Sequence, residues 1–388
     1  MGSTNKKERF VNLDALRIVA MMMVVTLHFL DNEGFLRMYP PGSLQYTAIW
    51  AIEIICIVAV NCYVLLSGYF LSSSQFKIKR LVPLILQTLF YSLGIYLVLL
   101  YCGIIPFNLG EAVNALLPIP TGMYWFISAY IGLYLLSPFL NRLLDGLDQR
   151  LHLLFIVTLV GIFSVWPSIF TAATPLTYKG LDIVGGYSIT WFIVLYVVAG
   201  YLRRYSLPKI TATRAFLRYA VITGVSIGVY ALLAYATRSP GAHPFLETQV
   251  SHYISYNSLP VLLSSVALFL FFISLKIPRF LTKPVAILAP LTLGVYLLTE
   301  EPHMRTLLWG NLQPHLHLTS PYVTLIGVGA VMAIYFAASS VELVRQILFE
   351  SIAKLHIAKK MTAAMKAFHK RTWRPAARLL FPAQNTEV

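Results

Sequence analysis

The segment that decides the fold is Arg9-Phe-Val-Asn-Leu-Asp-Ala-Leu-Arg-Ile-Val-Ala-Met-Met-Met-Val-Val-Thr-Leu-His-Phe-Leu30. It is long enough to cross a bilayer, which takes about 20 mainly apolar residues. It nevertheless carries two ionisable side chains, Arg17 and His28. An ionisable group inside a membrane helix is costly, and by default it marks a functional site. The segment therefore predicts a first transmembrane helix that carries a functional site.

Arg17 and His28 are predicted to project from the same face of that helix. Their separation in the sequence is close to three helical turns and about 16 Å along the helix axis. Asp14, three residues before Arg17, is placed to pair with it. Simpler explanations stay open for each residue: an arginine that snorkels beside Asp14, and an interfacial histidine at a helix end. A shared face weakens both of these explanations.

The composition excludes a soluble protein. Of the 388 residues, 58% are hydrophobic and 12% are charged, whereas soluble domains carry about 25% charged residues. The net charge of +15 reflects basic residues that lie between apolar segments, so it indicates membrane topology and not nucleic-acid binding. Cys56, Cys62 and Cys102 fit no metal-binding spacing and predict no disulfide framework.

Ten apolar segments predict an all-α polytopic membrane protein with about ten transmembrane helices. Prolines are expected to break the fourth segment near Pro138 and the ninth near Pro290. No internal repeat of the kind found in transporters is apparent. The ten predicted segments are residues 11–30, 45–66, 82–102, 123–140, 151–170, 184–201, 215–237, 256–275, 284–300 and 321–345.

The lysines and arginines between these segments decide the expected orientation. With the N-terminus inside, all but five of the 30 lie in cytoplasmic segments. The exceptions are Arg17 within the first segment, and Arg37, Lys179, Arg238 and Arg305 in outer loops. Cytoplasmic loops of membrane proteins carry such an excess. Both termini are therefore expected in the cytoplasm.

The chain is expected to form a single transmembrane domain over residues 1–345, followed by a basic cytoplasmic tail over residues 346–388. The first segment lacks a small-residue cleavage site after it, which favours a retained span over a signal peptide. Two interpretations of the tail stay open. One is an amphipathic helix along the anionic inner leaflet, and the other is a loosely ordered polar tail.

Two positions offer a carboxylate as a partner for His28. Glu53 lies near the outer start of the second segment, at a depth close to that of His28, and a carboxylate there would hold the imidazole tautomer. Glu300 and Glu301 end the ninth segment at the same side. Each position also has a simpler explanation. Glu53 would be hydrogen-bonded to a neighbouring helix for packing, and Glu300 and Glu301 would be solvated acids at a helix end.

Other candidates lie at the two mouths of the predicted bundle. The cluster Lys77-Ile-Lys-Arg80 either reflects topology alone or clamps the phosphates of an anionic nucleotide. Tyr124 and Trp125 are either part of an aromatic belt or a platform for a sugar. Ser67 and Tyr296 join them as candidate substrate-binding residues. No Asp, Glu or Cys pattern accompanies the histidines at the spacing of metal ligands, so no metal site is expected. These histidines are His243, His252, His315 and His317.

These residues and their order resemble a known family, the integral-membrane acyltransferases of family three. These bacterial enzymes O-acylate cell-surface carbohydrates with acyl-CoA, and the likeness extends from Leu13 to about Trp309. Departures are Thr299 and Glu300, where many relatives have a histidine, and the absence of a fused periplasmic esterase-like domain. The motifs that carry the resemblance are Leu13-Asp14-Ala15-Leu16-Arg17, His28, Ser67-Gly68-Tyr69-Phe70, Lys77-x-x-Arg80, Trp125-Phe126, Tyr134, Pro138 and Trp191 to Tyr196.

The resemblance implies roles for individual residues. It assigns Arg17 and His28 to acyl transfer, and Lys77 and Arg80 to the acyl-CoA donor, with acetyl-CoA as the default. The implied acceptor is a lipid-linked or exported glycan, and the implied location is the bacterial cytoplasmic membrane, among membrane lipids. Acyl-CoA is expected to arrive from the cytoplasm, with His28 acting on the acceptor hydroxyl or accepting the acyl group itself.

Two rival functions remain open at this stage. A glycan transporter or flippase without acyl-transfer chemistry also fits ten spans with intramembrane charges. A glycan-binding subunit of a polysaccharide export complex is the other. Binding of CoA distinguishes the first rival from the enzyme, and retained function after replacement of Arg17 would favour the second.

Overall fold

The structure is a computed structural model, and it describes residues 10–170, 184–205, 210–238, 250, 252–312 and 323–354. It is 83% helical, and its described residues hold no β-strand. The all-α polytopic fold predicted from the sequence is therefore confirmed. Residues from 355 onward, which include most of the predicted basic tail, lie outside the described residues.

The described chain consists mainly of α-helices. Four short helical stretches of the described chain are not α-helical: 3₁₀ turns at Ile78–Arg80, Val184–Gly186 and Ala289–Leu291, and a π-helical turn at Gly161–Val165. In chain order the α-helices are α1 Val11–Asn32, α2 Phe35–Met38, α3 Leu44–Cys56, α4 Val58–Leu71, α5 Leu81–Tyr101, α6 Leu109–Leu116, α7 Trp125–Asp145, α8 Gln149–Val160, α9 Trp166–Phe170, α10 Ile189–Arg204, α11 Ala212–Ala236, α12 Leu259–Ser274, α13 Arg279–Leu288, α14 Thr292–Thr299, α15 Pro302–Leu312 and α16 Val323–Lys354.

Eight helical segments of the described chain are long and apolar enough to cross a membrane. Two shorter helices, α10 and α12, have 16 residues each and coincide with two further predicted spans. The count of ten spans and the cytoplasmic placement of both termini stay predictions. The eight segments are Val11–Asn32, Leu44–Leu71, Ile78–Tyr101, Trp125–Asp145, Gln149–Ser168, Ala212–Ala236, Arg279–Thr299 and Ile326–Ser351.

The two prolines expected to break helices behave differently. Near Pro290 the helix does break, since a 3₁₀ turn separates α13 from α14. At Pro138 the prediction is wrong, because α7 runs through the proline without interruption. Proline removes the N–H that would bond the carbonyl four residues earlier. Here that carbonyl, on Tyr134, accepts a hydrogen bond of 2.6 Å from the Ser137 hydroxyl, which replaces the lost partner.

Close contact between α4 and α10 organises the core. A Cβ on Gly68 would lie 2.8 Å from the Cβ of Ala199, so only glycine allows this approach. Nearby, the Trp191 indole donates to the Asn61 side chain at 3.0 Å, and Asn61 donates to the Tyr256 carbonyl at 2.9 Å. Buried polar groups satisfied in this way fix how α4, α10 and the loop before α12 meet.

The bundle has two chemically different ends. At one end Arg204 donates to the Ser72 carbonyl and to Asp145, both at 2.9 Å, and Arg203 lies over the Tyr69 ring at 4.9 Å. At the other end Arg305 donates to the Asn32 side chain at 3.3 Å. We call the first the basic end, defined by Lys77, Arg80, Arg203 and Arg204, and the second the His28 end, defined by His28, Glu300 and Arg305.

The chain divides into two compact units, Met1–Ala338 and Ser339–Val388. The candidate site residues of the described chain all lie in the first unit. In the second, Arg345 holds the buried Glu342 through hydrogen bonds of 2.7 and 2.6 Å, and Gln346 donates to the same carboxylate. The sequence-based boundary after residue 345 stays a prediction.

Candidate active site

A cavity of about 810 Å³ lies inside the first unit. Its lining includes Arg80 at the basic end and Asp31, Glu300 and Arg305 at the His28 end. Tyr63, together with other hydroxyl-bearing side chains, lines it between those ends. The cavity therefore joins the two ends of the bundle through its interior.

One face of α1 supplies a wall of this cavity. Arg17, Met21, Val24, His28 and Asp31 all line it, and they recur at intervals of three or four residues. Such spacing keeps side chains on a single helical face. The structure thus brings Arg17 and His28 to one cavity, as their separation in the sequence predicts.

Arg17 is held by partners close to it. Its Nη1 lies 2.9 Å from Oδ1 of Asp14, in the pairing expected three residues apart on a helix. Its backbone carbonyl accepts a hydrogen bond of 2.7 Å from the Tyr63 hydroxyl. The side chain remains 35% exposed, so the guanidinium keeps access to the cavity.

His28 pairs with the carboxylate at the end of α14. Its Nε2 lies 3.1 Å from Oε1 of Glu300, which is ion-pair distance, although the angles do not make a hydrogen bond. The Nδ1 atom of His28 is buried and has no hydrogen-bond partner. On its other side, the same oxygen of Glu300 lies 3.8 Å from Nε of Arg305. The imidazole and the guanidinium therefore flank one carboxylate.

The turn between α14 and α15 sends its two adjacent acids in different directions. The backbone N–H of Glu300 closes α14 by donating to the Tyr296 carbonyl at 2.9 Å. Glu301 instead caps α15, since its Oε2 accepts a hydrogen bond of 2.8 Å from the Met304 N–H. Glu301 is fully buried, and the Glu300 side chain is 12% exposed. The alternative that these acids are solvated at a helix end is therefore wrong.

A second histidine stabilises this turn from outside the cavity. Nδ1 of His303 lies 2.9 Å from Glu301, and its Nε2 lies 3.4 Å from Glu111 of α6. Burial disfavours the charged imidazole, but the hydrogen bonds and charges of Glu301 and Glu111 outweigh it and raise the pKa of His303. The pair links α6 to the turn that carries Glu300.

Glu53, the other candidate partner of His28, does not contact it. Its side chain lines the cavity and is only 8% exposed, and its Oε2 atom has no hydrogen-bond partner. Among the described ion pairs, His28 is joined to Glu300 and not to Glu53. Of the two carboxylates that the sequence left open, the structure therefore brings Glu300 to the imidazole.

Of the two adjacent aromatic candidates, Tyr124 and Trp125, only one lines the cavity. Trp125 lines the cavity. Tyr124 is buried between helices, where its hydroxyl donates to the Leu297 carbonyl at 3.0 Å, and it is not part of the cavity wall. Ser67 and Tyr296 do line the cavity. Trp125, Ser67 and Tyr296 thus lie at the site, and Tyr124 supports it from behind.

Of the two basic candidates, Lys77 and Arg80, only one lines the cavity as well. Arg80 lines the cavity and is exposed, with a bond of 3.3 Å from Nη1 to the Ser74 hydroxyl. Lys77 is not part of the cavity wall, but its backbone bonds the Tyr134 hydroxyl through both its N–H, at 3.1 Å, and its carbonyl, at 2.8 Å. Tyr134 in turn lines the cavity beside Arg80.

Some residues of the cavity wall were missed from the sequence. Tyr63 belongs to a series with Glu53, Ile57, Val60 and Ser67, at intervals of three or four residues, so helical periodicity was the signal that pointed to it. Arg305 had no such signal, because the sequence places it in an outer loop, whereas in the structure it lies on α15 and reaches Glu300 through the turn between α14 and α15.

Comparison with known families agrees with this description. The fold and the cavity define a multi-pass membrane protein with a histidine–carboxylate pair inside its helical bundle. The acyltransferase domain of family 3 matches residues 10–340, and the chain belongs to that family. Neither the curated proteins nor the solved structures contain a match to it.

Proposed function

We propose that the protein transfers an acyl group, acetyl by default, from acyl-CoA to a hydroxyl of a cell-surface or lipid-linked glycan. Transfer would take place across the bacterial cytoplasmic membrane, with the basic end in the cytoplasm. One observation carries the proposal: a single cavity has guanidinium groups, Arg80 and Arg17, toward one end and the His28–Glu300 pair at the other.

The basic end suits the phosphates of CoA. Arg80 is exposed at the mouth of the cavity, and Arg17 lies deeper with its side chain still partly accessible. Guanidinium groups bind phosphate oxygens in bidentate fashion and remain charged at every physiological pH. The thioester arm would then extend along the cavity toward His28, past the hydroxyls of Tyr63 and Ser67.

The His28 end suits the transfer step. In the tautomer with its proton on Nε2, that nitrogen lies 3.1 Å from the Glu300 carboxylate, and Nδ1 keeps a lone pair. A neutral imidazole removes the proton of the acceptor hydroxyl as its oxygen bonds to the thioester carbonyl carbon. The C–S bond then breaks, and the proton passes from His28 to the leaving CoA thiolate. Glu300 stabilises the imidazolium in between.

A transporter without chemistry is the second candidate. The observation in its favour is that the cavity wall extends from one end of the bundle to the other. Membership of an acyltransferase family favours transfer. Thermal stabilisation of the purified protein by CoA, together with acylation of an acceptor, separates the two, because a glycan transporter needs no CoA.

Replacing His28 tests the proposal. In membranes supplied with acetyl-CoA, His28→Ala is expected to lower acyl transfer by about 10²- to 10⁴-fold, the usual contribution of a general base. Thr26→Ala is the matched control, since Thr26 lies two residues earlier on α1, bonds the Met22 carbonyl and does not line the cavity. Wild-type transfer rates in a folded His28→Ala variant would refute the proposal.

A further inference from the structure

The carboxylate of Glu53 has no role in the chemistry described so far. It is more than nine-tenths buried, its Oε2 has no hydrogen-bond partner, and its side chain lines the cavity. A buried carboxylate without a partner is strongly unfavourable, so such a group is expected to meet a ligand. Because Glu300 already pairs with His28, the partner of Glu53 is to be sought in the cavity.

Three aromatic rings lie in the same part of the cavity wall. The centroids of Trp125 and Tyr187 are 4.6 Å apart, those of Tyr187 and Tyr256 are 4.8 Å apart, and those of Trp125 and Tyr256 are 6.1 Å apart with nearly parallel planes. All three rings line the cavity. We call this group the aromatic platform, defined by Trp125, Tyr187 and Tyr256.

The loop before α10 fixes this platform in place. Gly186 has a φ of +91°, and a Cβ on it would lie 2.7 Å from the Cβ of Tyr256, so no other residue fits there. The Tyr256 N–H bonds the Gly185 carbonyl at 3.0 Å, and the Tyr256 carbonyl accepts from Asn61. The platform is therefore built into the backbone and does not depend on a ligand to form.

Glu53 and the platform are close enough to act on one ligand. Ile54, the chain neighbour of Glu53, packs in one apolar cluster with Ile254, two residues before Tyr256. Glu53 and the platform thus line neighbouring parts of one cavity wall. Trp125 also contacts Phe126, and Phe126 contacts Tyr296, one helical turn before Glu300. The platform and the His28–Glu300 pair therefore lie in neighbouring parts of the cavity wall.

We propose that Glu53 and the aromatic platform form the subsite for the acceptor, and that this subsite selects a sugar over a simple alcohol. The inference rests on the proposed acyl transfer and names how the acceptor is recognised. Glu53 accepts hydrogen bonds from a sugar hydroxyl next to the one that is acylated. The platform packs against the C–H face of the ring. Glu53 is thereby a specificity residue, and Glu300 is the partner of His28.

The chemistry of the two groups favours this ligand class. The oxygens of a carboxylate accept hydrogen bonds, and a sugar presents several adjacent O–H groups that donate them. Aromatic side chains offer a large apolar face at low cost in conformational entropy. An alcohol with one hydroxyl gives that hydroxyl to His28 and leaves Glu53 buried and unpaired, which opposes its binding.

The test compares two kinds of acceptor. Acetyl transfer from acetyl-CoA is measured with methyl glycosides of glucose, galactose, rhamnose and N-acetylglucosamine, and with cyclohexanol, which has a similar ring and one hydroxyl. Glu53→Gln is expected to lower kcat/KM for the best glycoside by about 10- to 100-fold more than it lowers kcat/KM for cyclohexanol, since an amide N–H replaces one accepting oxygen and leaves buried donors unsatisfied against the sugar hydroxyls. KM for acetyl-CoA should stay within twofold of the wild-type value.

Two further variants check the platform and the fold. Tyr187 is 52% exposed, so its replacement leaves the core intact. Tyr187→Leu is expected to raise KM for the glycoside, and Tyr187→Phe, which keeps the ring, should restore it. Glu33→Gln is the matched control for burial, because Glu33 is 1% exposed, its carboxylate has no hydrogen-bond partner, and it does not line the cavity.

Each outcome decides between the two proposals. An equal loss with glycoside and cyclohexanol would mean that Glu53 acts on the reaction itself, and the subsite would be rejected. Preference for cyclohexanol in the wild type, or transfer to neither acceptor by a protein that still binds CoA, would exclude a sugar as the acceptor class. Absence of both CoA binding and acyl transfer would instead overturn the proposed function.

Discussion

The two ends of the cavity handle charge in opposite ways. At the basic end Arg80 is exposed, and its one described hydrogen bond is a long one to a hydroxyl. At the His28 end the side chains of His28 and Glu300 are only 20% and 12% exposed, and Glu300 contacts both His28 and Arg305. Exposed guanidinium groups can capture an anion from water, whereas a buried imidazole–carboxylate pair suits proton transfer in a water-poor site. The difference supports the proposed division, in which the acyl donor is bound at one end and acyl transfer takes place at the other.

Loss of the carboxylate at the His28 end is expected to have the larger effect. Glu300→Gln removes the charge that stabilises the imidazolium, and kcat should fall by about 10²-fold, with KM for acetyl-CoA changed little. Initial rates of acetyl transfer at varied acetyl-CoA measure both parameters. Glu33→Gln serves again as the buried control. A rise in KM with kcat preserved would place Glu300 in binding and contradict the division between the ends.

Loss of a guanidinium at the basic end should have a smaller and different effect. Arg80→Ala is expected to raise KM for acetyl-CoA by about 10-fold and to lower kcat less, because the contact is made equally before and during transfer. Lys79→Ala is the matched control, since Lys79 is exposed, neighbours Arg80 and does not line the cavity. If the two variants behave alike, general surface charge explains donor binding and the specific role of Arg80 is excluded.

The smallest expected effect concerns the turn behind the His28 end. The pKa of His303 is raised in the fold by Glu301 and Glu111, which outweigh the effect of burial, so its protonated form contributes stability at low pH. That contribution is complete below the unfolded pKa of about 6.5 and is lost as pH rises through the higher folded value. The facing groups are Glu301, Glu111 and the Tyr96 ring.

Thermal unfolding in detergent between pH 5.5 and 8.5 measures this effect. The midpoint of the wild type should exceed that of His303→Gln most at the acidic end of the range, and the two should converge as pH rises. A difference that grows with pH would show that His303 is held neutral in the fold.

Features set by local spacing could be predicted from the sequence. The pairing of Arg17 with Asp14 follows from residues three apart on a helix, and the shared face of Arg17 and His28 follows from helical periodicity. The all-α membrane fold follows from apolar segments alone. Each of these depends on neighbours in the chain, and no knowledge of the tertiary packing is needed.

Features set by packing could not be predicted. Whether Glu53 or Glu300 meets His28 depends on how α14 lies against α1, and periodicity carries no information about that. Glu300 and Glu301 are adjacent, yet one faces the cavity and the other caps α15, because a helix ends between them. Tyr124 and Trp125 separate for a similar reason, at the start of α7. Helix ends decide such cases, and their position is the least certain part of a sequence-based interpretation.

The central claim is that acyl donor and acceptor meet from opposite ends of one cavity. The most direct test uses sealed membrane vesicles of both orientations, with acetyl-CoA and a methyl glycoside confined to opposite sides. The account predicts transfer only when acetyl-CoA is on the side of the basic end and the glycoside is on the side of the His28 end, and loss of that transfer in His28→Ala. Equal transfer in both orientations, or transfer only when both compounds share one side, would contradict it.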